Sequence, residues 1–184
     1  MWMLVAIFLA VDPAAAKPPP PCALTAADRL ANRALSFAEF DQRGVTPATA
    51  RALGERGCHQ EAALATEDYL LFGPTVSEYQ RNVLSWHLAQ YLASAGKETE
   101  AAHVIATTRR APTQEPDGFD WNTYVVGTWS FLVKDRAGLD AATDTLSKGP
   151  GLRNSMNFKV LRRLQKCFDR PYDDAYIAPD CAVD

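Results

Sequence analysis

No apolar run in this chain reaches the roughly 18 residues that a membrane-crossing helix requires. Charge of one sign is equally scarce: 22 acidic side chains face 19 basic ones, a net charge of −3 over 184 residues. That near balance excludes a strongly basic nucleic-acid binder. Hydrophobic residues make up 47% of the chain and charged ones 22%, which excludes a disordered tail, a collagen-like fibre and a coiled-coil rod. Catalytic signatures are missing as well. The chain has no HExxH, no GxSxG, no glycine loop built to cradle phosphate and no cysteine–histidine pattern. What remains is one domain, long enough to bury roughly 70% of its unfolded surface.

The amino terminus speaks for export. Met1 to Val11 is an apolar run of signal-peptide length, broken at Asp12-Pro13 and followed by the small residues Ala14-Ala15-Ala16. Cleavage after Ala16 starts the mature protein at Lys17 with 21 acidic and 19 basic residues, a net charge of −2. No Lys or Arg precedes the apolar run, a departure from the usual signal pattern, and a buried amino-terminal helix is the competing reading. The organisation expected is a signal peptide over 1–16, a proline-rich linker over 17–24 and a helical domain over 25–184. Four consecutive prolines, Pro18 to Pro21, favour an extended spacer without internal hydrogen bonds. The protein is expected to be secreted or periplasmic.

Four cysteines suit an oxidising compartment, and an even count suggests two disulfides. Three pairings are possible. A first helix running out from about Ala26 and a second returning to Gly57 bring Cys58 back towards Cys22, whereas Cys167 and Cys181 flank a short tail. That layout favours Cys22–Cys58 and Cys167–Cys181. Neither pair has CxxC spacing, so redox chemistry and zinc are both poorly supported.

Caps and breakers divide the mature chain into helices, with little that suggests strands. Helices are predicted over about 25–42, 46–57, 59–72, 76–95, 98–109, 120–135, 139–147 and 155–169, with a loop over 111–119 and a short turn or helix after Pro171. A repeat emerges from them. Glu61-Ala62-Ala63, Glu100-Ala101-Ala102 and Asp140-Ala141-Ala142 follow Leu53, Leu92 and Leu132 by eight residues each, with Gly57, Gly96 and Gly138 in between. Leucine packs the first helix of a hairpin, glycine permits the turn, and alanines let the second helix approach closely. The expected fold is all-α: a short α-solenoid of about three helix-turn-helix repeats with a terminal capping helix, stapled by disulfides.

Leu88-Ala89-x-x-Leu92-x-x-x-Gly96-x-x-x-x-Ala101-x-x-x-Ile105 resembles a tetratricopeptide repeat over residues 82–110. The units on either side match less fully. The resemblance implies a concave groove, formed by the first helix of each hairpin, that accepts a peptide or another protein. Its groove positions fall on Trp86, Gln90 and Ser94, and equivalent positions in the flanking units are Arg51, Glu55, Ser130 and Lys134.

Other chemistry-bearing residues read as structural. His59 lies near a helix start as an exposed loop residue, His103 has no acidic partner at i±4, and His87 falls on an apolar face as a core histidine. Glu39 with Asp41, Glu67 with Asp68, and the acidic tail of Asp173, Asp174, Asp180 and Asp184 read as solvated. The aromatics Trp86, Tyr91, Trp121, Tyr124, Trp129 and Phe131 read as core between hairpins. Lys159, Arg162, Arg163, Lys166 and Arg170 form a basic stripe on the last long helix, read as the polar outer face of a cap or as a contact for an anionic surface. The functional expectation is protein or peptide binding in the cell envelope, with no catalytic residue, cofactor or metal. The alternatives are a small cell-envelope hydrolase with a scattered site around His87, or a structural subunit of an envelope assembly.

Overall fold

Local caps decide where this chain turns, and they break one predicted helix in two. Thr25 and Asp28 form a reciprocal cap: the Thr25 N–H donates to Asp28 Oδ2 at 2.9 Å and the Thr25 side chain accepts from the Asp28 N–H. This starts helix α1, Ala26–Asn32. A second box follows at once, with the Ser36 N–H donating to Glu39 Oε2 at 2.9 Å. It restarts the chain as a six-residue π-helix, Ala38–Arg43, so the single helix expected over 25–42 is interrupted. The computed structural model describes residues 22–111 and 118–183; the expected signal peptide and proline run lie outside the described residues.

Helix α2, Ala50–Glu55, starts later than the Thr46-Pro47 pair suggests. The Thr46 carbonyl accepts both the N–H and the hydroxyl of Thr49, at 3.2 and 2.9 Å, closing a turn before the helix begins. Helices α3 (His59–Phe72), α4 (Glu78–Ser94) and α5 (Glu98–Ala106) follow. Then come α6 (Trp121–Leu132), α7 (Arg136–Ser147), α8 (Leu152–Lys166) and α9 (Tyr172–Ile177). No strand occurs among the described residues. From α2 to α8 each helix packs on the next, and α9 folds back onto α8 and α4.

Three of the connections share one turn. The Cys58 N–H donates to Leu53 O, the Lys97 N–H to Leu92 O and the Asp135 N–H to Ser130 O, at 2.8–2.9 Å. In each, the preceding residue is left-handed: Gly57 at φ +77°, Gly96 at +78° and Lys134 at +58°. The third hairpin is therefore in a different register from the one its sequence suggests. Ser130 stands where Leu53 and Leu92 stand, and Lys134, not Gly138, makes the turn. Three residues before each anchor lies a small buried residue, Ala50, Ala89 or Gly127. Four residues into each second helix lies Ala62, Ala101 or Leu139, all fully buried. Asp140-Ala141-Ala142 is thus not the structural equivalent of the two glutamate triplets. A non-glycine residue at the turn hid the shift.

Two disulfides staple the ends. Cys22 is bonded to Cys58 and Cys167 to Cys181. The core falls into two clusters. One gathers Phe40, Leu53 and Leu84 around Tyr69, whose ring stacks on Phe40 at 4.1 Å. The other runs through Trp86, Trp121, Tyr124 and Phe131 to Leu161 and Tyr172. The aromatic-rich α6 therefore fills the core, packing on α5, α7 and α8 at once.

Asp68, read as solvated from sequence, is buried and takes a two-pronged contact from Arg33 Nε and Nη2 at 2.8 and 2.6 Å. Hydrogen bonding from Arg33 holds its carboxyl below the usual value. An acid bound more weakly by protons in the folded state stabilises that state above the unfolded pKa of about 4, and the contribution is lost as pH falls through the lowered folded value. Arg33→Gln is therefore expected to be less stable than wild type at pH 7. In urea melts at pH 7 and pH 3 the gap should narrow at the lower pH; an unchanged gap would contradict the assignment.

Candidate functional site

A concavity with polar and titratable side chains in its walls lies between α2, the start of α3, α4 and α9. It encloses about 410 Å³ and is lined by Arg51, Gly54, Glu55, His59, His87, Gln90, Tyr91, Ser94, Tyr172, Asp173, Tyr176 and Ile177. Helical spacing explains the α4 wall. His87, Gln90, Tyr91 and Ser94 follow i, i+3, i+4 and i+7 and so share a face. On α2, Arg51, Gly54 and Glu55 repeat the same spacing. Gly54 lets the Tyr91 ring approach, since a Cβ there would lie 2.5 Å from the ring.

The fourth wall is α9. Tyr172 is wholly buried; its N–H donates to Glu98 Oε1 at 2.6 Å and its hydroxyl lies 3.4 Å from Gln90 Nε2. Asp173 Oδ1 is 3.5 Å from His59 Nε2, tying α9 to the start of α3. His59 is thus a half-buried cleft residue and not an exposed loop residue, and Asp173 is not a free tail carboxylate.

His87 has a partner that local sequence does not show. Its Nδ1 lies 2.8 Å from Asp41 Oδ1 and 3.0 Å from Oδ2. Asp41 is completely buried and also accepts from Gln42 Nε2. A neutral imidazole that meets a carboxylate through Nδ1 donates from that nitrogen, and the lone pair then lies on Nε2. His87 is only partly buried, and its other ring edge opens to the cleft. Arg51 Nε donates to the Asp41 carbonyl at 2.9 Å, which brings its guanidinium to the same wall. Burial pushes the Tyr91 phenol up to about 12, so it faces the cleft as a neutral hydroxyl.

Of the seven groove positions, the structure brings together four: Arg51, Glu55, Gln90 and Ser94. The other three lie elsewhere. Trp86 is buried, its ring 4.9 Å from those of Trp121 and Tyr124. Ser130 is buried as the anchor of the third turn. Lys134 donates to the carbonyls of Phe168 and Arg170 at 3.3 and 3.1 Å, holding the segment after α8 in place. The register shift moves the groove positions of α6 to Tyr124, Thr128 and Leu132, and all three are buried.

The basic stripe of α8 is largely engaged by the chain's own tail. Arg163 Nη2 donates to Ala178 O and Lys166 Nζ to Ala182 O, both at 2.8 Å. Arg170 Nη1 pairs with Asp180 Oδ1 at 3.0 Å, leaving Lys159 and Arg162 on the exposed face. Among the described residues no group of three or more His, Cys, Asp or Glu side chains is arranged to hold a metal ion. No helix among them is long and apolar enough to cross a membrane. Searches of protein-family models, curated proteins and solved structures find no match to this chain.

Proposed function

We propose that this is an exported helical-repeat protein, a short tetratricopeptide-like solenoid, that binds a peptide or protein segment in the cell envelope. The observation that carries the reading is the convergence of Arg51, Glu55, Gln90 and Ser94 on one cleft. Three hairpins with one turn geometry support the solenoid, and two disulfides fit an oxidising compartment such as the periplasm. The third hairpin buries its groove face, and α8 packs across α6 and α7, which supports a role for α8 as a capping helix.

The cleft carries aromatic walls from Tyr91, Tyr172 and Tyr176 and charges of both signs from Arg51, Glu55 and Asp173. Such a mixture suits a short peptide, whose backbone needs donors and acceptors and whose side chains need apolar contact. Panning a displayed peptide library on the oxidised protein is expected to enrich a family of sequences. Ser94→Trp, which narrows the cleft, should weaken their binding about tenfold or more, roughly 1.4 kcal/mol. Enriched peptides that bind the Ser94→Trp protein equally well would place the site elsewhere.

A further inference from the structure

From Asp41, His87 and Arg51 we infer that the cleft is also a general-base site that hydrolyses small carboxylic esters, with His87 as the base. This goes beyond the binding reading: it requires the cleft to admit a small ligand, not that the ligand be a peptide.

The pair is poorly explained as a stabilising device. Taking a carboxylate fully out of water costs several kcal/mol, and an ion pair in that setting recovers the cost only with good geometry. Here the geometry does something more specific. Asp41 sits on a π-helix, a distortion that recurs at functional sites, and both its carboxylate oxygens meet the Nδ1 edge of the ring, at 2.8 and 3.0 Å. The imidazole is thereby fixed in the tautomer whose free lone pair, on Nε2, faces the cleft. No serine, threonine or cysteine is hydrogen-bonded to His87 among the described residues, so the nucleophile assigned is water.

His87 Nε2 takes a proton from water as the water oxygen bonds to the ester carbonyl carbon. The carbonyl π electrons move onto oxygen, and the oxyanion is held by the Arg51 guanidinium. Collapse re-forms the C=O bond and breaks the bond to the alcohol oxygen, which leaves with the electron pair and takes the proton back from Nε2. Ester and water become acid and alcohol, and His87 returns to its starting form. Asp41 is a positioning residue. The tyrosine rings and Ile177 offer an apolar wall for one half of a small aryl or short-chain acyl ester.

The probe is 4-nitrophenyl butyrate with the full, oxidised protein. Saturable hydrolysis is expected, faster than an equal concentration of imidazole, and reduced roughly 10²-fold in kcat/KM by His87→Gln. Asp41→Asn lets an amide donate to Nδ1 and locks the wrong tautomer, so kcat should fall while KM stays within about twofold. His103→Gln, on the exposed face of α5, should change nothing. Should His87→Gln fail to fold, carbethoxylation of the wild-type protein gives the same answer: activity should fall with modification of His87 and return with hydroxylamine. Turnover no faster than free imidazole, or unchanged in folded His87→Gln, overturns the inference. Peptides that still bind His87→Gln would show that the binding reading survives such a failure.

Discussion

Replacing His87 by leucine is expected to cost about 3–5 kcal/mol of folding stability at neutral pH. Leucine fits the apolar side of α4, so packing alone does not predict this loss. The cost comes from Asp41, whose completely buried carboxylate loses the N–H donor that approaches it at 2.8 Å. A buried charge robbed of its partner keeps its full desolvation penalty, with Gln42 the one side-chain donor left to it among the described residues. His87→Gln should lose far less, about 1–2 kcal/mol, because an amide N–H can still donate to the carboxylate. Native domains have only about 5–15 kcal/mol to lose, so the leucine variant should show a sharply lower urea midpoint. If the leucine and glutamine variants unfold at the same midpoint, Asp41 is not held as described.

Removing the Cys22–Cys58 bond by a double serine substitution is expected to cost about 4 kcal/mol on the chain-entropy account. The bond spans 36 residues, and closing so long a loop in the unfolded chain removes much of its freedom. For a domain of this size the melting temperature should fall by about 8–16 °C. Cys58 is buried beside the α2–α3 turn, so the residues before α1 are pinned to the same edge of the fold as the cleft. Calorimetry of the two forms under identical buffer checks the value. A loss below about 1 kcal/mol would mean that the reduced chain already holds this end in place.

Some helix ends were readable from local signals. Ser77 with Gln80 and Asp120 with Thr123 cap α4 and α6 close to where the pattern of residues places them. The Ser36–Glu39 box was equally local and sits inside a segment whose apolar spacing suggests one continuous helix. The third turn was not readable, because Lys134 adopts a conformation that composition assigns to glycine, with Gly138 four residues away as a decoy. Half of the cleft was legible, through the spacing of Gln90 and Ser94 on α4 and of Arg51 and Glu55 on α2. The Asp41–His87 contact was not. Its partners are 46 residues apart, and nothing in the neighbourhood of either names the other. A histidine amid Val83, Leu84, Leu88 and Tyr91 announces only that some polar partner must exist.

Helix α9 gives the cleft a history in time. Its anchor Tyr172 is made 74 residues after Glu98, the side chain that receives it. A chain emerging amino terminus first therefore shows the open faces of α2 and α4 to its surroundings well before their cover exists. During that interval the surface destined to meet Tyr172 and Ala175 is available to holding chaperones and to other unfinished chains. The Cys167–Cys181 bond, formed when an oxidant of the compartment takes up the two thiols' electrons, comes later still, because the second cysteine follows the helix it secures. Cover and staple are thus both late events in the making of this domain. A molecule halted shortly before them carries most of the domain but presents an unfinished, sticky trough in place of a shaped cleft.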